Sequence, residues 1–443
     1  MNPDPRSTEA AFGLGTQEVK RRHILLKALL VGVVAGVLAS TFRIALQFSE
    51  RHRIAWQHDS SGPIGLTIAV GIGGVGAGLA VWLVRRFAPE AAGSGIPHLK
   101  AVVLGERQMT WRRLLPVKFL AGVLGIGSGL ALGREGPTIQ MGGSTGIMVS
   151  EWFKIRPGEG ERRALISAGA GAGLAAAFNA PLAGLIFVLE ELQGNFTPVV
   201  FVAAFLASVT ADVVSRVLIG ENPVFPLHQM PAPTVHAVPL ALLLGVFCGL
   251  AGVLFNRTLL KTLDVFEKTR RWPPYLVGGA VGVMVGFASW MLPGVAGSGG
   301  TIVERSLAGE VATEAVLGLL ALRFALTMIS YGCGAAGGIF APLLVLGALG
   351  GLALGRVVHG IAPEWAAQPE IFAVLGMGAL LTAIVRAPLT GIVLMVELTG
   401  KYDFMLPLLA SCLVAYGVAE GLRDVPIYEA LRQRATERVG KRG

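Results

Sequence analysis

Residues 131–143 read ALGREGPTIQMGG, which sets Arg134 and Glu135 side by side between glycines and a proline in an otherwise apolar neighbourhood. A second acidic pair, Glu190-Glu191, ends the apolar run LAGLIFVL. Carboxylates in such settings are hard to solvate, and ionisable groups at membrane depth are by default read as parts of ion or proton pathways. The chemistry open to them is proton uptake and release. Hydrolysis has little to stand on: the seven histidines are scattered and no HExxH occurs. No apolar span pairs two aspartates, or a serine with a histidine, which argues against a membrane-embedded protease.

The elements that must position these groups follow from composition. Of 443 residues, 53% are hydrophobic and only 15% charged, with a mean hydropathy of +0.65; a soluble chain of this size needs more charge to cover its surface. Runs at 24–48, 64–84, 238–255, 274–292, 314–331 and 404–420 approach or exceed the roughly 20 residues that span a bilayer as a helix. The expectation is an all-α polytopic membrane protein. Its polar first 22 residues end in Lys20-Arg21-Arg22-His23, too far from Met1 for a cleaved signal peptide, so the first span is retained. Cys248, Cys333 and Cys412 lie singly in apolar surroundings and read as packing residues, with no metal or disulfide framework.

The net charge of +9 reads as basic loops beside anionic lipid, not as a nucleic-acid surface. Lys and Arg crowd the N-terminus, Arg85-Arg86, Arg112-Arg113, Lys268 to Arg271 and the tail from Arg432, whereas Val217 to Asn256 has none. That bare stretch holds a proline-rich connector, residues 221–236. The positive-inside rule then places both termini in the cytoplasm and the connector outside, with Arg51 and Arg53 as exceptions. The expected division is a cytoplasmic segment 1–22, a first half 23–220, the connector 221–236, a second half 237–420, and a C-terminal helix and tail 421–443.

The two halves echo each other. AGSG occurs at 92–95 and 296–299; Gly133-Arg-Glu-Gly-Pro137 with Gly142 matches Gly338-Ile-Phe-Ala-Pro342 with Gly347; Ala180-Pro181-Leu182-Ala183-Gly184 matches Ala387-Pro388-Leu389-Thr390-Gly391. Three matches in one order at nearly constant offset point to an inverted repeat of tilted and re-entrant helices. Helices that start at GSGIP, GREGP and GGIFAP would present unpaired N–H groups, and several aimed at one spot make an anion pocket without a fixed cation. Glycines also permit close helix packing, and that reading suffices for Gly32, Gly36, Gly278, Gly282, Gly286 and the GIGGVG at 71–76. The last matches a dinucleotide fingerprint but lies inside an apolar span with no strand before it.

With Gly93-Ser94-Gly95-Ile96-Pro97, Gly133 to Pro137, Gly338 to Pro342, FNAPLAGLIFVLEEL at 178–192 and Val425-Pro426-Ile427-Tyr428 in this order, the sequence resembles the CLC family of chloride channels and proton-coupled anion exchangers, from about residue 20 to about residue 430. The resemblance implies a homodimer with one anion path per subunit and no cofactor beyond chloride as bound ligand. It implies that the hydroxyls of Ser94 and Tyr428 and the backbone N–H groups of Ile339 and Phe340 hold the anion. Such donors strip part of a halide's hydration yet let it leave. A serine before a helix is also a common N-cap, and tyrosines also collect in interfacial belts.

Within this family, Glu135 stands at a helix start among the N–H groups that attract chloride, so its carboxylate acts as a tethered anion. A proton weakens its hold and lets chloride in. The plainer alternative is a first-turn acid that complements the helix dipole beside Arg134. Glu190 aligns with Glu397 across the repeat, whereas Glu191 aligns with Leu398. Glu190 therefore reads as structural and Glu191 as an addition in one half. By similarity Glu191 is the inner proton-transfer site of the exchangers, where channels usually carry an apolar residue; an interfacial acid in water is the alternative. The expected activity is exchange of chloride for protons, with a passive chloride channel next and a fluoride/proton exchanger after it. Fluoride relatives usually have methionine for the GSGIP serine and lack the tyrosine, and nitrate-preferring ones have proline there. His98 departs from the family's usual glutamate. The chain stops soon after Tyr428, so a bacterial inner membrane and no nucleotide-binding cytoplasmic modules are expected.

Overall fold

A computed structural model describes residues 5–59, 62–227, 230, 233, 237–364 and 368–440. Residues 1–4, 60, 61, 365–367 and 441–443, with 228, 229, 231, 232 and 234–236 of the connector, lie outside the described residues. Seventeen α-helices follow one another in the described chain: α1 (Pro5–Asp59), α2 (Gly62–Phe87), α3 (Ile96–Val103), α4 (Trp111–Gly127), α5 (Glu135–Trp152), α6 (Gly160–Phe178), α7 (Pro181–Phe187), α8 (Pro198–Ile219), α9 (Val238–Lys268), α10 (Pro274–Met291), α11 (Gly300–Leu307), α12 (Thr313–Gly332), α13 (Phe340–Ile361), α14 (Glu370–Val385), α15 (Pro388–Thr399), α16 (Met405–Gly421) and α17 (Ile427–Gly440). Among the described residues, eight helical stretches are long and apolar enough to cross a membrane, including 198–219 and 340–361 besides the six runs read from sequence. The chain is an integral membrane protein. From Pro5 onward α1 runs through residue 22 into the first span without a break.

The halves have one architecture. Helices α1 to α8 correspond in order to α9 to α16: α1 packs on α6 and α8 as α9 packs on α14 and α16, α5 on α6 as α13 on α14, and α7 on α6 and α8 as α15 on α14 and α16. The short α3 and α11 each start after a glycine in the left-handed region, Gly95 (φ +81°) and Gly299 (φ +81°). At Gly95 a side chain would meet a second obstacle besides the backbone conformation, since it would collide with Gln140 of α5. Gly73, Gly278 and Gly282 let α2 and α10 touch backbone to backbone, and Gly32 and Gly36 do so for α1 on α8. The glycine-rich 71–76 stretch is thus interior helix, with the small-residue contact that membrane helices use in place of a hydrophobic drive.

Arg53 departs from the loop reading for a structural reason. It is buried, donating to the Gly127 carbonyl at 3.2 Å and to Ser289 at 3.0 Å. A cation consumed by internal hydrogen bonds does not report loop topology.

Candidate functional site

Three helix starts meet between the halves. Gly133 and Gly338 exchange both backbone hydrogen bonds, at 2.7 and 2.8 Å, which fixes the first residues of α5 and α13 against each other. Gly93 donates to Ala335 at 2.9 Å and accepts from Gly337 at 3.1 Å, bringing in the loop that starts α3. Gly136 completes the contact: a Cβ there would stand 2.8 Å from the Ser94 carbonyl oxygen and 2.9 Å from its Cα. The sequence motifs GSGIP, GREGP and GGIFAP therefore converge. The N–H groups of Ile339 and Phe340, at the start of α13, have no intrahelical acceptor by geometry, so the helix ends present partial positive charge at one place.

Glu135 lies in this convergence and is 2% exposed. Its carboxylate folds back over Gly133, where a Cβ would collide with it, and Oε2 accepts the Ala341 N–H at 3.3 Å. That bond is long and weak. Arg134 Nε stands 3.9 Å from Oε1, an ion pair without a hydrogen bond, and the same guanidinium donates to the Ala177 carbonyl at 3.3 Å. The carboxylate is therefore bound by the other half's helix start and is not locked to its basic neighbour. It lines a cavity of about 350 Å³ with Arg43, Glu50, Arg51, Arg134 and Glu304, which opens beside the start of the connector.

Ser94 is fully buried. Gly95, not Ser94, is the N-cap of α3, and the Ser94 hydroxyl accepts the Ile96 N–H only at 3.4 Å. The hydroxyl is not used up by capping. Tyr428, at the start of α17, is also fully buried, which removes the interfacial-belt reading, and its hydroxyl has no hydrogen-bond partner among the described residues. A buried hydroxyl without a partner is free to serve a bound anion or water. Phe340 is buried, with its ring centroid 5.7 Å from that of Phe178, so its side chain packs while its N–H faces the convergence.

Two buried cations escaped the sequence reading. Lys118 on α4 donates to the carbonyls of Ala91 and Gly93 at 2.9 and 2.7 Å. Arg323 on α12 does the same for Val295 and Gly297. Both are fully buried. They are repeat partners holding the two AGSG loops, and among the described residues no carboxylate forms a salt bridge with Lys118. Its hydrogen bonds fix the loop that carries Ser94. Tyr331 was also missed: its buried hydroxyl hydrogen-bonds Ser94. Aligning Lys118 with Arg323 at the repeat offset would have exposed the first pair; nothing local in the sequence marks Tyr331.

The second acidic pair divides as its alignment suggests. Glu190 accepts the Leu389 and Thr390 N–H groups at 3.1 and 2.8 Å and the Thr390 hydroxyl at 2.8 Å, capping α15. Glu397 accepts the Leu182 and Ala183 N–H groups at 3.0 and 2.7 Å, capping α7. Glu191 caps nothing. It is 6% exposed, so it is not an acid in open water, and it pairs with Lys100 at 2.9 Å. It sits on a π-helical turn, Val188–Gln193, that α15 lacks in the other half; such turns recur at functional sites. His98 lines a second cavity, of about 580 Å³, together with Arg107, Tyr331, Arg432 and Arg434. Its Nδ1 is 3.4 Å from Gln140 Nε2, so α3 keeps a polar tie to α5 there.

Comparison with known proteins agrees with this geometry. The family model for voltage gated chloride channels matches residues 76–420. An H(+)/Cl(-) exchange transporter ClcA of Vibrio cholerae serotype O1 is 41% identical over 419 residues, covering 93% of this chain and 89% of the relative; one of Cronobacter sakazakii is 40% identical over 420 residues, with the same coverage. Among solved structures, a slow cyanobacterial Cl-/H+ antiporter superposes with a TM-score of 0.89 at 36% identity, covering 94% of this chain and 98% of that one. A CLC-type fluoride/proton antiporter shares the fold, at a TM-score of 0.76 and 23% identity over 90% of this chain and 96% of that one. A repeat whose broken helices aim their starts at one buried carboxylate, carried by a chain this similar throughout, belongs to the voltage gated chloride channel (CLC) family.

Proposed function

We propose that this protein exchanges chloride for protons across a membrane, with Glu135 as gate and outer proton site and Glu191 as inner proton site. The observation that carries the reading is the Glu135 carboxylate, buried at the joint start of α5 and α13 and accepting the Ala341 N–H. A carboxylate there occupies a place built for an anion. Protonation removes its charge, weakens its hold on the helix starts, and lets the side chain swing into the cavity of about 350 Å³ beside it. Chloride then takes its position. One group so placed makes proton and halide alternate, which is exchange.

Deeper in the path, chloride is held by the hydroxyls of Ser94 and Tyr428 and the N–H groups of Ile339 and Phe340. The unpartnered Tyr428 hydroxyl supports this assignment. Lys118 holds the Ala91 and Gly93 carbonyls and so fixes the loop that presents the Ser94 hydroxyl to the ion. Glu191 receives the proton on the opposite side from the Glu135 cavity. The relatives named as H(+)/Cl(-) exchangers support chloride over fluoride, as do Ser94 and Tyr428. The family further implies a homodimer with one path per subunit, in a bacterial inner membrane with both termini cytoplasmic, and transport without enzymatic turnover.

Flux in reconstituted vesicles tests the whole reading. An imposed chloride gradient is expected to drive protons uphill. Chloride movement with no accompanying proton flux would replace the exchanger with a channel.

A further inference from the structure

We propose that Lys100 is a positioning residue that sets when Glu191 takes up its proton, by shifting its ammonium between Glu191 and Glu429 on the helix that carries Tyr428. The inference rests on Glu191 being the inner proton site. Lys100 Nζ lies 2.9 Å from Glu191 Oε1 and 3.9 Å from Glu429 Oε2. The first contact is a full charge-assisted hydrogen bond; the second is an ion pair with room to close. Lys100 is thus already shared between two carboxylates on different elements, with one partner favoured.

The charge balance makes this a two-position device. The charged groups acting on Glu191 are Lys100 on α3, Glu429 on α17 and its neighbour Glu190, and Glu190 is engaged as the cap of α15. Glu429 is anchored by Arg432 at 2.6 and 3.0 Å and by Gln433 at 2.9 Å, and Arg432 also pairs with Glu106 in the loop after α3. The Arg432 hydrogen bonds hold the Glu429 carboxyl below the usual carboxylate range. Glu429 therefore keeps its charge when Glu191 gains a proton. A neutral Glu191 no longer attracts the ammonium, and Glu429 becomes its better partner. The flexible lysine stem needs to move by only about 1 Å to turn a loose pair into a hydrogen bond.

The elements involved give the shift a consequence. Lys100 lies in the last turn of α3, whose start follows Ser94. Glu429 follows Tyr428 in the first turn of α17. Closing the Lys100–Glu429 pair draws together the two helices that present the anion-binding hydroxyls. Protonation at Glu191 then changes the halide site through a named difference in contacts, as coupling between two sites requires.

The test is proton flux in vesicles as a function of pH on the α17 side. Lys100→Met is expected to move the midpoint to higher pH by about one unit, because the cation that favours ionised Glu191 is gone. Lys100→Arg should stay near wild type. Glu429→Gln is expected to move the midpoint the opposite way, to lower pH by roughly 0.3–0.5 unit, because Glu191 then keeps the ammonium to itself and loses a like charge. In the Lys100→Met background that acid shift should fall by at least half, the signature of a shared partner. A Lys100→Met midpoint within about 0.2 unit of wild type overturns the proposal, as does a Glu429→Gln shift of the same size with and without Lys100. Should Lys100→Met fail to reach the membrane, Glu429→Gln decides alone, with an acid shift in support and no shift against. Wild-type vesicles that move no protons at all would instead strike the exchanger reading.

Discussion

Glu190 and Glu397 hold each other's helices: the first caps α15 in the second half, and the second caps α7 in the first half. The reciprocity follows from the inverted repeat, which brings the two helix starts that share Ala-Pro-Leu, at Pro181 and Pro388, side by side. Glu190→Gln and Glu397→Gln should each lower stability in detergent by about 1–3 kcal/mol, since a charged acceptor shared by two N–H groups is lost. Thermal unfolding measures this. Glu190→Gln should also leave the ratio of protons to chloride unchanged, in contrast to its neighbour.

Glu191→Gln should keep chloride movement and lose proton movement. An amide fills the same space and preserves the π-helical turn, but it cannot give up a proton. Parallel chloride and proton traces from one vesicle preparation check the outcome, and retained uphill proton transport would remove Glu191 from the path.

Glu135→Gln should uncouple the ions and flatten the pH profile of chloride flux. The sign in the wild type follows from the gate. Protonation on the Glu135 side frees the anion position, so chloride flux rises as pH falls there. The glutamine is neutral at every pH and leaves no such dependence. A Glu135→Gln profile that still rises in acid would place the titrating gate elsewhere.

Tyr428→Phe removes one hydroxyl from a fully buried ring with no other partner to strand. Chloride affinity should fall about tenfold, the worth of one hydrogen bond to a charged group, while unfolding temperature barely moves. Titration calorimetry with chloride reads the first and a thermal melt the second. Equal losses in both would mean that the hydroxyl serves the fold.

Gly136→Ala pushes a methyl against the backbone of Ser94, at 2.8 Å from its carbonyl oxygen. Backbone cannot yield as a flexible side chain can, so α5 must shift, at a cost of about 1–3 kcal/mol. Chloride affinity should drop with it, because Ser94 and the start of α5 share the site.

Class, repeat and motifs are legible in the linear order of the residues. Apolar runs near bilayer length dictate helices, because backbone polar groups in hydrocarbon must be satisfied within the segment. A repeat read as AGSG at two places, or as Glu190 against Glu397, survives in linear order because both copies obey the same local geometry. The asymmetry at Glu191 against Leu398 was legible for the same reason. Which groups meet depends on the fold. The paired backbone of Gly133 and Gly338 brings Glu135 to the Ala341 N–H 206 residues away, and no local pattern encodes a contact of that range. Lys100 and Tyr331 are silent in the chain, since their roles depend on which carboxylate or hydroxyl lies opposite, whereas Lys118 shows itself only when aligned with Arg323 across the repeat. Arg53 looked like a misplaced loop cation until its burial showed where its hydrogen bonds go. Side-chain chemistry is written in sequence, but the field that a buried charge feels is set by the groups folding places around it.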